Sequence, residues 1–143
     1  MVDYGYGVDM SNAKFIDNAA HHLLRNFASA AVKQEFEDFC EDNPELVEDG
    51  TAEEVFVDEF EDDITCGSGI EGFIVRCIND NECPHADAFA YSNCCIYVGA
   101  RIPANAEERA KMLTQEDIQG ILAKYLNPIL ESELTVEFLE IYE

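Results

Sequence analysis

GSGIEGFIVRCI, from Gly67 to Ile78, is the stretch on which the fold class turns. Gly67-Ser68-Gly69 reads as a flexible turn, and Phe73 to Ile78 is rich in the β-branched and aromatic residues that favour strands. Asn79-Asp80-Asn81 then supplies a turn to close the strand. The stretch predicts a change of period, with helices before it and strands after it.

Upstream, Tyr4 and Tyr6 are separated by a single glycine, and Val2 to Val8 reads as a short edge strand or an arm. From Ser11, an N-cap residue type, Phe15, Ile16, Ala19, Ala20, Leu23, Leu24 and Phe27 recur at helical spacing. Val32, Phe36 and Phe39 fall on the opposite side of the same cylinder. The spacing therefore predicts two helical segments with a break between Ala28 and Ala31, the second ending at Asn43-Pro44. Thr51 with Glu54 is a capping-box pattern, and it predicts a helix from Ala52 to about Asp62 that buries Phe56, Phe60 and Ile64. A strand through Glu54 to Val57 is the rival reading.

Downstream, Ala88 to Tyr91 and Cys94 to Arg101 read as one interrupted strand or two short ones, and Asn105 to Leu113 reads as helical. Thr114-Gln115-Glu116-Asp117 opens a helix carrying Ile118, Ile121, Leu122, Tyr125 and Leu126, which Pro128 bends or ends. Leu134 to Tyr142 alternates as a strand. The expectation is a single α+β domain over residues 1–143, with N-terminal helices packed on a small antiparallel or mixed sheet of three to four strands and one crossover helix. Its acidic helical part would cover about 11–63 and its sheet-containing part about 70–143.

Charge is concentrated in one place. The 42 residues from Gln34 to Val75 hold 16 carboxylates and no Lys, Arg or His, whereas Met1 to Lys33 balances three acids with three bases. The net charge of -23 is thus local, and a general solubilising bias would have spread over every exposed face. The stretch is not a disordered tail, because Phe36, Phe39, Val55, Phe56, Val57, Phe60 and Ile64 interrupt it. Such acidity disfavours direct binding to nucleic acid or to an anionic membrane, both of which attract Lys and Arg. The N-terminus has no signal-peptide pattern and no apolar run approaches a membrane span, so a cytoplasmic location is expected, with the six cysteines mainly reduced.

No pattern of catalytic residues stands out. Gly67-x-Gly69-x-x-Gly72 matches a dinucleotide fingerprint as a string, but that loop must open a helix, here a strand is expected to follow, and nearby carboxylates repel phosphate. Cys77, Cys83, His85 and Cys94 or Cys95 offer soft ligands for a structural zinc. There is no Cys-x-x-Cys, however, and unligated thiols in a sheet are the simpler reading. An enzyme would need a pocket outside the acidic stretch, for instance around Cys83, His85 and Tyr91. His21 and His22 read as surface residues. No cofactor is implied.

In size, acidity and lack of catalytic motifs the chain resembles the small acidic inhibitors that phages carry against host defences, including restriction blockers and some anti-CRISPR proteins. The resemblance is compositional and rests on Glu35 to Asp63. It implies a class, a nucleic-acid mimic whose partner is a basic nucleic-acid-binding protein, and for a CRISPR effector it points to the PAM-reading or guide-binding channels. The carboxylates offered to such a partner are Glu35, Glu37, Asp38, Glu41, Asp42, Glu53, Glu54, Asp58, Glu59, Glu61, Asp62 and Asp63. The alternative is a non-catalytic structural or assembly protein with a solvated acidic face, with the structural zinc as an option and a homodimer through Tyr4, Tyr6 or the terminal strand.

Overall fold

A computed structural model describes residues 2–11, 13–62, 67–82, 89–92, 97–101, 107, 114–132 and 137–142. The chain is α+β. Its main sheet joins β1 (Val2–Asp9), β4 (Phe89–Ser92), β5 (Tyr97–Arg101) and β6 (Glu137–Tyr142) in the order β4-β5-β1-β6, with every neighbouring pair antiparallel. A separate pair links β2 (Glu61–Asp62) to β3 (Gly67–Ser68). The helices are α1 (Ala19–Asn26), α2 (Ala30–Asp42), α3 (Pro44–Asp49), α4 (Ala52–Asp58), α5 (Gly69–Glu82) and α6 (Gln115–Leu126).

Tyr6 pairs with Ala100 and Phe138, and Val8 pairs with Val98, so β1 is an inner strand rather than the expected edge or arm. The strand order also corrects the expectation of a single crossover. The connection from β1 to β4 passes beyond β5 and the connection from β5 to β6 passes beyond β1, which gives the β–α–β–β–α–β order of a split βαβ sheet. α5 packs on β4, and α6 packs on β1 and β5. Helices α1 to α4 are therefore an insertion between the first strand and the first sheet-packing helix.

The largest departure from the sequence reading is α5. Phe73 to Ile78 is helix, although its residues favour strand, because it is buried almost all round: Gly72, Phe73, Ile74, Val75, Cys77, Ile78 and Asn79 are all inaccessible. Wedged between β4, α4, α1 and α6, the helix keeps its polar residues few and toward its ends, and within Phe73 to Ile78 only Arg76, which pairs with Asp80 at 2.9 Å, breaks the apolar run, so too little helical periodicity is left there to read. A second correction concerns Ser11. The helix expected there begins only at Ala19, because Lys14 to Ile16 run extended beside the end of α6: Phe15 bridges Leu130, the Ile16 N–H donates to the Ile129 carbonyl (2.8 Å) and the Glu131 N–H donates to that of Lys14 (2.9 Å). The break at Phe27 to Ser29 is as expected, and the Ser29 hydroxyl caps α2 by accepting from the Val32 N–H at 3.3 Å. α4 is shorter than expected, ending at Asp58, and Thr51 makes no side-chain cap. Thr114 and Asp117 form a full capping box on α6, which passes into a 3-10 turn at Asn127–Ile129.

An aromatic cluster ties the acidic insertion to the core. The Phe56 ring lies 5.2 Å from Phe36, 5.4 Å from Phe39 and 6.2 Å from both Phe60 and Phe73, and Phe60 meets Phe73 edge-on at 5.0 Å. These rings join α2 through α4 to α5. Burying one such ring is worth about 3–5 kcal/mol against its truncation. Each like-charge pair one helical turn apart costs only about 0.2–0.5 kcal/mol. Apolar burial thus outweighs the repulsion that the carboxylates bring.

Candidate partner-binding surface

On α2 the apolar side is fixed by Val32, Phe36 and Phe39, which turn toward the core. At about 100° per residue, Glu35, Glu37, Asp38, Glu41 and Asp42 are left to span the remaining outward arc. All five are exposed. The main neighbours of α2 are α3 and α4, so its outward arc faces away from the sheet-packing helices. Among the described residues none of the five forms an ion pair, and their one side-chain hydrogen bond is from Gln34 Nε2 to Asp38 Oδ1 at 3.1 Å. α3 adds exposed Glu45, Glu48 and Asp49, which extend the run of acids without interruption by a base and which the sequence-derived set left out.

The remaining predicted carboxylates are placed differently. Glu54, Asp58, Glu59 and Glu61 are exposed. Glu53 is partly exposed, and its two oxygens lie 2.9 and 2.8 Å from His21 Nδ1, so it clips α4 to α1 rather than standing free. Asp62 lies in β2, and Asp63 is outside the described residues. The α2 and α4 sets meet at a shallow groove of about 220 Å³ lined by Leu24, Arg25, Lys33, Phe36, Glu37 and Glu53.

Of the proposed zinc ligands only Cys77 is described; Cys83, His85, Cys94 and Cys95 lie outside the described residues, as does most of the predicted 105–113 helix. Cys77 sits on α5, 1% exposed, and burial first, then Asp80, pushes its thiol up to about 12. Metal ligation needs a thiolate, which this setting opposes. Among the described residues no group of three or more His, Cys, Asp or Glu side chains could hold a metal ion. Cys40, partly buried on α2, has its thiol raised by burial and then by Glu53 and Glu37.

The glycine fingerprint needs correcting too. In Gly67-x-Gly69-x-x-Gly72 the first two residues are themselves the short strand β3 and Gly69 opens a helix, α5, so the expectation that a strand follows the string is overturned. The carboxylate objection stands: Glu71 lies in the first turn of α5, and its Oε2 is 3.7 Å from where a Cβ on Gly69 would be. The positive end of the helix dipole thus faces its own carboxylate. Gly69 has φ +68°, the left-handed conformation for which glycine is suited.

Where α5 meets α6, Glu82 Oε1 accepts from Lys124 Nζ (2.7 Å) and from the Tyr125 hydroxyl (3.0 Å). Tyr125 is buried and stacks on Phe27 at 4.5 Å, and burial pushes its hydroxyl up to about 12. A phenol held in that state is a structural hydrogen-bond donor. Among the described residues no helix is long and apolar enough to cross a membrane. Compared with family models, with curated proteins and with solved structures, the chain matches none.

Proposed function

We propose that this chain is an acidic mimic of a nucleic-acid backbone that occupies the basic groove of a DNA- or RNA-binding protein, such as a host defence nuclease. What supports the reading is the outward arc of α2, where five exposed carboxylates stand without a cationic partner among the described residues. At 1.5 Å rise per residue, the eight residues Glu35 to Asp42 carry one charge per roughly 2.4 Å. That spacing lies between the ~3.4 Å of one nucleic-acid strand and the ~1.7 Å of a duplex. An intramolecular role would have paired these groups, as Glu53 and Glu82 are paired.

The test is capture from host lysate on the immobilised chain at low and at high salt, with and without competing DNA. The expected result is a set of nucleic-acid-binding proteins that is lost both in high salt and in the presence of DNA. Changing Glu35→Gln, Asp38→Asn, Glu41→Gln and Asp42→Asn together should abolish the capture while the fold persists. Undiminished capture by that variant would put the contact elsewhere.

A second reading, a structural or assembly protein, draws on the edge position of β6. An edge strand offers unpaired backbone groups to a second copy. Self-association that is insensitive to salt, measured by sedimentation, would favour it over mimicry.

A further inference from the structure

The main sheet has two edges, and they are not alike. β4, on one side, is four residues long and lies against α5 and β3. β6, on the other, runs for six residues and pairs one-to-one with β1, from Glu137 on Gly7 to Tyr142 on Val2, with no bulge to turn it away. Among the described residues no other element makes more than a passing contact with β6. A row of backbone N–H and C=O groups about 20 Å long is thus left without a ladder partner on its outer side. Natural edge strands are guarded by Lys, Pro or a bulge. β6 has none of these: it sets Glu137 and Glu140 among Phe138, Leu139, Ile141 and Tyr142, and Glu131 to Glu143 holds five carboxylates and no base.

Those carboxylates guard the edge against one occupant, a second copy, which brings the same glutamates and a net charge of -23. They leave it open to a strand that carries cations. We infer that the outer edge of β6 takes up an extended segment of a partner protein as a fifth strand, a segment in which Lys or Arg recurs among β-forming residues. Backbone hydrogen bonds supply the affinity, and bases opposite Glu137 and Glu140 fix the register. This goes beyond the mimic reading and does not rest on it, because β6 shares no element with the α2 arc.

The experiment follows amide chemical shifts and hydrogen exchange of the full 15N-labelled chain at about 0.15 M salt, where the Debye length of ~8 Å limits attraction by distant charges. Three capped heptapeptides are compared: Gly-Lys-Val-Thr-Lys-Val-Gly, the same sequence N-methylated at every residue but glycine, and Gly-Glu-Val-Thr-Glu-Val-Gly. The first should give saturable shifts within β6 and slow exchange at the alternate amides that do not bond β1, the sign of a strand added on one side. The N-methylated peptide keeps the charge but loses its strand donors, and should leave β6 unmoved. The acidic peptide should bind about tenfold more weakly, as should the first peptide to a Glu137→Gln/Glu140→Gln variant whose circular dichroism matches the parent's, that factor being the loss expected for two cross-strand charge pairs. The inference is overturned if the first peptide leaves β6 unmoved, if the N-methylated peptide or the double variant binds equally well, or if the alternate amides become protected with rising protein concentration and no peptide, which would make a second copy the occupant. Mimicry is read separately at Glu35, Asp38, Glu41 and Asp42. Shifts there from both lysine peptides, with β6 unmoved, reject the added strand and keep the mimic, and the reverse pattern keeps the strand and counts against the mimic.

Discussion

Neutralising the outward arc of α2 should make the protein more stable while it makes it less able to bind. The perturbation is the fourfold change Glu35→Gln, Asp38→Asn, Glu41→Gln and Asp42→Asn. Within α2 it removes like-charge pairs at 35 and 38, 37 and 41, 38 and 41, and 38 and 42, which lie three or four residues apart on one helix. Four such pairs at about 0.2–0.5 kcal/mol each come to roughly 1–2 kcal/mol. Glu41 and Asp42 also occupy the last turn of α2, which contains no basic residue, so their loss relieves an unfavourable interaction with the helix dipole. The hydrogen bond from Gln34 survives, because an asparagine oxygen at position 38 still accepts. For a domain of this size, the gain corresponds to roughly 3–8 °C in Tm at low salt. The assay is thermal unfolding followed by far-UV circular dichroism at about 10 mM and about 1 M salt, where the Debye length falls from ~30 to ~3 Å and the gain should vanish. Asp17→Asn with Glu131→Gln, both at exposed positions outside helices, reproduces half of the change in overall charge away from α2 and should give little of the gain. A variant no more stable than the parent at low salt would refute the claim that these groups repel one another without compensation. A gain unaltered by 1 M salt would refute its electrostatic origin.

Three further outcomes are expected. Phe56→Ala, which empties the hub of the aromatic cluster, should cost about 3–5 kcal/mol in urea unfolding and loosen α2 from α5; a cost below about 1 kcal/mol would mean that the cluster does not hold the insertion. Gly50, at the C-terminus of α3 with φ +77° and nothing within 4 Å of where a Cβ would stand, should lose about 1 kcal/mol as Gly50→Ala from backbone strain alone, and an unchanged denaturation midpoint would contradict this. The Glu82 carboxyl is held below its ordinary value first by the hydrogen bond from Lys124, with burial opposing and Tyr125 assisting. Because its folded-state pKa is depressed, it contributes stability that is present above the ordinary carboxylate value and lost as pH falls through the folded one. Lys124→Ala should raise the Glu82 pKa in a carbon-detected NMR titration and shrink that acid-side loss; an unmoved titration would assign the depression to other groups.

The parts of the fold that were legible in the sequence are those where one face is buried and the other wet. α2 shows it: Val32, Phe36 and Phe39 alternate with acids, and its end is marked by Asn43-Pro44. α6 is announced by Thr114 and Asp117 in the same way. α5 was illegible because its middle, Phe73 to Ile78, is buried except at Arg76, and a run of Phe, Ile and Val then looks identical in a helix and in an inner strand. Lys14 to Ile16 misled for a different reason: Phe15 and Ile16 keep helical spacing with Ala19, but what they satisfy is an extended contact with residues more than a hundred positions away. At the candidate surface, the carboxylates of α2 could be assigned to a single arc from their spacing alone. The contact of Glu53 with His21 could not, since it depends on where α1 delivers the histidine. The groove was equally invisible, being assembled from α1, α2 and α4.

The position of β1 bears on how the molecule is made. Both of its ladder partners follow it far along the chain, and Val2 pairs with Tyr142, so β1 is made long before β5 and β6. The helical insertion can collapse around its phenylalanines before β5 and β6 exist, whereas the sheet can close only once both have been made. Contacts of such long range make for slow folding and a nascent chain with an unpaired strand on offer. Until β5 and β6 arrive, both edges of β1 offer unpaired backbone groups.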